Sequence, residues 1–201
     1  LEDCIVNREE NIDFNPMERK KVVIIGAGFG GLNLAKELEK SVYQVILLDR
    51  NNFHTFQPLL YQVATGGLEP GNIAYPVRRT FRNVSNFTFK MCNVESINHS
   101  ETKVVTSIGD VDYDYLVLAQ GSSTNFFGNA QIEANSLTLK TVSDALDFRS
   151  NLMQNLERAI NALTEEDKEE LVNVAIVGGG PAGLEMAGAI AEMKNYVLPK
   201  D

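Results

Sequence analysis

KVVIIGAGFGG (Lys21–Gly31) is a short apolar run that breaks into glycine at Gly26, Gly28 and Gly31. This is the G-x-G-x-x-G spacing of a strand that turns sharply into a helix. Gly26 permits a tight turn out of the strand. Gly28 lets the backbone approach a diphosphate with no Cβ in the way, and Gly31 lets the helix pack closely on the strand. That helix, expected from Phe29 to about Lys40, directs its unpaired N–H groups and the positive end of its dipole at the phosphates. The dipole contributes ~0.3–1 kcal/mol when exposed and up to ~2 when partly buried, so it assists binding without supplying all of it. An acid is then expected some twenty residues further on. YQVILLDR (Tyr43–Arg50) supplies it as Asp49, able to accept from ribose hydroxyls. The alternative reading of Asp49 is a solvated acid at a strand end, and Arg50 is a surface charge or a diphosphate neighbour.

The pattern recurs in VNVAIVGGGPAG, at Gly178, Gly180 and Gly183. Here a strand is expected over Leu171–Val177 and a helix from Ala182 to about Asn195, with Pro199 stopping or kinking any continuation of it. One fingerprint alone is also compatible with a glycine-bearing turn that holds no ligand. Two of them indicate a protein that brings two dinucleotides together. The acid expected after Gly183 falls beyond Asp201, so this stretch does not discriminate NADH from NADPH.

Between the fingerprints the chain reads as α/β. Strands are expected over 21–26 and 43–48, then an excursion over 51–85 without sustained strand alternation. Such long loops are usually functional. Short strands come next, near 87–91, 94–98, 103–107 and 114–119. The middle ones form an antiparallel meander with turns at Asn98–Glu101 and Gly109–Asp110, and the last returns to the main sheet ahead of Gly121. Thr141–Leu163 has helical spacing, with Val142, Ala145, Leu146, Leu152, Leu156, Ile160 and Leu163 on one broad face. Glu165–Glu170 (EEDKEE) reads as a solvated charge run at a boundary.

Net charge is −9, from 27 acids against 18 Lys and Arg, which excludes a nucleic-acid footprint and disfavours an anionic lipid surface for this segment. No stretch approaches the length of a membrane span and no signal-peptide core is read. The two cysteines, Cys4 and Cys92, form no C-x-x-C or C-x₄-C pair, so disulfide-reductase chemistry is not expected; Cys92 packs near the end of an apolar strand. A cytoplasmic protein is the corresponding expectation. No metal site is expected.

At FHTFQPLLYQVATGGLEP (Phe53–Pro70) the chain resembles the type II NADH:quinone oxidoreductases, or alternative NADH dehydrogenases. The resemblance extends through KVVIIGAGFGG, DYLVLAQGSSTNFFG (Asp114–Gly128) and VAIVGGGPAGLEMAGAIAE (Val174–Glu192). It implies a Rossmann-like FAD-binding domain, with a parallel sheet plus a small antiparallel β-meander, followed by the start of a second Rossmann-like NAD(H)-binding domain. The expected boundaries are a polar lead-in at 1–20, the first FAD segment at 21–125, a linker strand and helix at 126–170, and the truncated NAD(H) domain at 171–201.

By that resemblance Gly26, Gly28, Gly30, Gly31 and Asp49 bind the FAD diphosphate and ribose, and the backbone of Val94 meets the adenine. Ala119 and Gly121 match an A-T-G turn near the flavin, with Gln120 where the family has Thr. Gln57, Pro58 and Leu59 approach the isoalloxazine and the quinone entrance; from the residues alone they are a buried loop anchor. Gly178, Gly180 and Gly183 hold the NADH diphosphate. Glu185 lies close to nicotinamide and flavin, or else is a surface Glu in the first turn of a helix. His54 is a proton-donor candidate whose plainer reading is a surface or packed imidazole.

The implied activity is electron transfer from NADH through FAD to a quinone, without proton pumping. The full-length protein would attach to the inner face of the cell membrane through a C-terminal part, with a homodimer left open. This stretch, about the N-terminal half, is expected to be poorly active alone. The rivals are a sulfide:quinone oxidoreductase or another pyridine-nucleotide flavoprotein, a non-catalytic redox sensor, and a turn with no cofactor.

Overall fold

The computed structural model describes residues 19–198; the expectations for Cys4, Pro199 and the lead-in up to residue 18 lie outside them. The described residues divide into two compact units, one built from those up to 52 and 81–120, the other from 53–80 and those from 121 onward.

In the first unit β1 (Lys21–Ile25), α1 (Phe29–Glu37) and β2 (Gln44–Asp49) succeed one another as expected, α1 ending three residues early. β5 (Phe87–Met91) and β9 (Tyr115–Leu118) complete an all-parallel sheet of order β5-β2-β1-β9. That is the 3-2-1-4 order of a doubly wound fold, whose ligand crevice lies outside the strand C-termini where the order reverses, here between β1 and β9. β1 and β2 read as continuous apolar runs because both their faces are covered, whereas β5 and β9 at the sheet edges are partly exposed. Val23, Ile25, Ile46 and Leu48 alternate onto one face and bury with Cys92, Val104, Val111 and Tyr113 of the meander side. α1 covers the other face, where Gly31 lies over Ile24.

The meander is β6 (Val94–Asn98), β7 (Lys103–Thr106) and β8 (Val111–Asp112), antiparallel throughout. Both turns fall where expected. The Asn98 side chain accepts from Glu101 N–H, and Gly109 takes a φ of +108°, a region open to glycine. The two-residue β8 was too short to announce itself.

The second unit departs more from expectation. The 51–85 excursion is not a featureless loop. It holds β3 (Phe53–Thr55) paired antiparallel to β4 (Ala74–Pro76), a 3-10 turn (Gln57–Leu59), α2 (Leu60–Ala64), α3 (Pro70–Ile73) and α4 (Val77–Thr80). Each element is shorter than the window over which periodicity becomes visible. Downstream come α5 (Ala130–Asn135), α6 (Val142–Ile160), α7 (Glu165–Val172) and α8 (Pro181–Glu192), with α8 running into a π-helical turn over Met193–Val197. Leu60, Val63 and Ala64 of α2 pack with Ile73, Ala145 and Met186.

Two expectations are overturned in this unit and one is extended. The charge run 165–170 is solvated along its whole length, as expected, and is helical. Thr164 caps it by accepting from Asp167 N–H, and Glu165, Glu166 and Asp167 sit in the first turn where the dipole favours acids. The expected strand over 171–177 does not form: Leu171 and Val172 close α7, and residues 174–179 carry no ladder. A strand needs a neighbour for its N–H and C=O groups, and among the described residues of this unit only β3 and β4 pair. Finally, α6 buries Ala145, Leu152 and Ala159, one heptad apart, whereas Leu146, Ile160 and Leu163 are exposed, Leu163 by 96%.

Candidate functional site

The chain leaves β1 through Gly26, whose φ of +105° suits glycine, and whose N–H donates to Leu48 O at 2.7 Å. A Cβ here would lie 2.5 Å from the carbonyl oxygen of Ala119, at the end of β9, so the reversal of strand order is also where backbone passes closest to backbone. Ala119 N–H in turn donates to Ile25 O at 2.8 Å. Gly31 is buried, and a Cβ would run into the Gly26 carbonyl. Gly28 and Gly30 differ: both are exposed, a Cβ on Gly30 would meet nothing within 4 Å, and one on Gly28 would reach only Ala119 O at 4.0 Å. Gly28 caps α1 with no side-chain hydrogen bond to the first-turn amides. The turn is thus closed where helix meets strand and open where a ligand would approach.

Asp49 is placed by the end of β2. Its Oδ2 accepts from Ala27 N–H at 2.6 Å, inside the turn, and its Oδ1 from Asn51 N–H at 2.7 Å. The acid therefore braces the turn as well as facing outward, a role its spacing alone does not reveal. Val94 opens β6, half-buried against the core. Gly121 stands exposed with a φ of +74°.

The second turn repeats the first atom for atom where it is local. Gly178 has φ +108°, a Cβ on Gly183 would run into Gly178 O, and Ile176 Cγ2 would lie 3.4 Å away, where Ile24 Cγ2 lies 3.2 Å from a Cβ on Gly31. Leu184 N–H donates to Gly180 O at 3.0 Å, as Leu32 N–H does to Gly28 O. Gly180 likewise caps α8 without a side-chain bond. Glu185 is the fifth residue of α8, past the first turn, and exposed.

Gln57 and Pro58 are exposed and Leu59 half-buried, so the first two are not a buried anchor. Gln57 Nε2 donates to Lys140 O at 3.4 Å. His54 sits on β3 opposite Tyr75, half-buried. Cys92 is buried beside the end of β5, as expected. Burial pushes its thiol up in pKa against the lowering effects of Thr106 and Lys90, so it is a poor thiolate.

Sequence reasoning missed Asp144. It forms a capping box with Thr141 on α6 and also accepts from Lys140 N–H at 2.8 Å and Thr138 Oγ1 at 3.0 Å. The T-x-x-D at Thr141–Asp144 was the available signal. Burial opposes its charge, yet these bonds lower the carboxyl pKa below its usual value. A lowered pKa means the contribution is complete above the unfolded value of about 3.9 and is lost as pH falls through the folded one. Asp144→Ala is expected to destabilise by about 1 kcal/mol at neutral pH, typical of a lost cap. In urea titrations the gap between wild type and variant should close below about pH 4.

Among the described residues no helix is long and apolar enough to cross a membrane, and no group of three or more His, Cys, Asp or Glu could hold a metal.

The chain is similar to several known proteins. The type II NADH:quinone oxidoreductase Ndh of Mycobacterium tuberculosis is 38% identical over 91% of the chain and 40% of its own length. The structure of NDH2 from Plasmodium falciparum in complex with NADH superposes with a TM-score of 0.83 at 26% identity, over 90% of this chain and 38% of that one. The sulfide:quinone oxidoreductase of Aquifex aeolicus reaches a TM-score of 0.62 at 30% identity, over 69% of this chain and 32% of that one. The chain spans about two fifths of the length of the mycobacterial relatives it matches. The family described as pyridine nucleotide-disulphide oxidoreductase matches residues 20–198, through both glycine turns, and the chain belongs to that family.

Proposed function

We propose that this chain is the nucleotide-binding front part of an FAD-dependent enzyme that takes electrons from NADH and passes them to a quinone without pumping protons. The observation that carries the reading is the duplicated turn, with Gly26 and Gly178 at φ +105° and +108° and Gly31 and Gly183 each packed on the first glycine's carbonyl. The mycobacterial relative named as an NADH:quinone oxidoreductase, and the NDH2 structure that holds NADH, supply the substrates of this reading.

The residues fit FAD. The uncapped amides of α1 and the open Cα positions of Gly28 and Gly30 would hold its diphosphate, with Gly26 and Gly31 setting the turn. Asp49 accepts one amide at each oxygen and keeps lone pairs for ribose hydroxyls. The Val94 backbone would meet the adenine, and Ala119 and Gly121 would border the flavin. Gln57, Pro58 and Leu59 would line the isoalloxazine and the quinone entrance. Gly178, Gly180 and Gly183 would take the NADH diphosphate, with Glu185 beside the nicotinamide. When bound, the flavin supplies the two-electron chemistry. The protein's task is to hold both nucleotides in reacting geometry and exclude water, so no nucleophile is required of it.

The corresponding domains are 21–125 for the first FAD segment, 126–170 as linker and 171–201 as the start of the NAD(H) domain. Attachment to the inner face of the cell membrane through a C-terminal part, and a homodimer, belong to the same reading. The sulfide-oxidising rival needs reactive cysteines, and a buried Cys92 with a raised pKa does not suit that role. Anaerobic titration of the full-length protein is the test. NADH should bleach a bound flavin and quinone should restore its colour; a colourless protein indifferent to added FAD, or bleaching by sulfide but not NADH, overturns the reading.

A further inference from the structure

We infer that Lys140 is a positioning residue that ties the Gln57–Leu59 turn to the segment after Gly121 and holds an ammonium beside both. The inference deepens the proposed function and rests on it, since the Gln57–Leu59 turn is assigned there to the flavin ring and Ser122 directly follows Gly121, which is assigned to its border.

Three stretches distant in sequence meet at this residue. The Lys140 carbonyl accepts from Gln57 Nε2, and its ammonium donates to Ser122 Oγ, both at 3.4 Å. Ser122 belongs to an open, polar depression lined also by Ser123, Thr124, Asn125 and Glu133. A lysine free to sample its rotamers would make such contacts only in passing, because holding its long side chain in one geometry costs rotamer entropy. Lys140 is not free at its backbone. Asp144 Oδ2 accepts from Lys140 N–H, Thr141 N–H and Thr138 Oγ1, at 2.8, 3.1 and 3.0 Å, and Asp144 N–H donates back to Thr141 Oγ1 at 3.1 Å. These bonds fix the approach to α6, and with it the carbonyl offered to Gln57 and the origin of the side chain.

The ammonium is also unneutralised. Among the described residues no carboxylate lies within ion-pairing distance of it, whereas Lys21, Lys103 and Lys168 each pair with an acid. An uncompensated, half-buried cation favours negative charge on whatever lies beside it. Beside a flavin, that means the reduced, anionic form over the oxidised, neutral one.

The test uses the full-length holoprotein. Lys140→Met removes the ammonium and leaves the carbonyl bond to Gln57; Lys140→Gln removes the charge but keeps a donor for Ser122. Both are expected to weaken binding of reduced relative to oxidised flavin about tenfold, lowering the midpoint potential by about 30 mV. Lys140→Arg should restore it. An unchanged potential in Met and Gln variants that retain flavin overturns the inference. Loss of flavin from Met and Gln but not Arg supports a need for the cation, and loss from all three assigns the position a merely structural role and overturns it. If the wild-type protein holds no flavin, the functional reading itself fails.

Discussion

Gly31→Ala in the full-length protein is expected to lose its bound flavin and about 3 kcal/mol of folding stability, the upper end of what an inserted methyl does at a packed site. The new Cβ would collide with the Gly26 carbonyl and sit 3.2 Å from Ile24 Cγ2, so neither neighbour is the yielding tip of a flexible side chain. Relief requires α1 to lift off β1. That opens the core around Leu32 and Ala35, both buried, and swings the helix N-terminus away from the proposed diphosphate position. Against a total stability of roughly 5–15 kcal/mol for a typical domain, ~3 kcal/mol is a large share. Gly28→Ala separates folding from binding. Its Cβ has open space apart from Ala119 O at 4.0 Å, so unfolding in urea should change by less than about 1 kcal/mol. Flavin affinity should nonetheless fall by about tenfold or more, because in the proposed site the methyl would stand where the phosphates approach. Equal flavin retention by Gly28→Ala and wild type, read from the visible spectrum after gel filtration, would remove Gly28 from the site.

The contrast between those two glycines also marks how far the amino-acid sequence discloses its own fold. Gly26, Gly31 and the flanking strands β1 and β2 were legible because their constraint is local, a turn and a close packing contact within a few residues. The meander was legible through alternation and its glycine turn at Gly109. The unannounced features depend on partners distant in sequence. Val174–Val177 is as apolar as Val22–Ile25, yet only the latter has β2 and β9 to pair with. The charges of 165–170 suggested a boundary, and the Thr164 cap made them a helix. Lys140 carries no motif at all; its contacts arise because Gln57 and Ser122 arrive from elsewhere in the chain.

Gly183→Ala should produce the opposite phenotype to Gly31→Ala: flavin retained, reduction by NADH slowed about a hundredfold or more, which corresponds to about 2.7 kcal/mol. The collision is again with a carbonyl, that of Gly178, and Ile176 Cγ2 stands 3.4 Å away. The start of α8 must therefore shift, and with it the amides beyond Gly180 that would face the second diphosphate. The first turn shares none of these atoms, so the visible spectrum of the flavin should be unaltered. α8 is held further along by Met186 and Ile190 in the cluster built on α2, which confines the displacement to its N-terminal end. The decisive measurement is stopped-flow bleaching under anaerobic conditions, with dithionite as a reductant that needs no nucleotide site. Full reduction by dithionite, normal reoxidation by quinone and a slow response to NADH alone would locate the defect in the second turn. Equal loss of flavin in the Gly183 and Gly31 variants would mean that the two turns do not serve two different nucleotides.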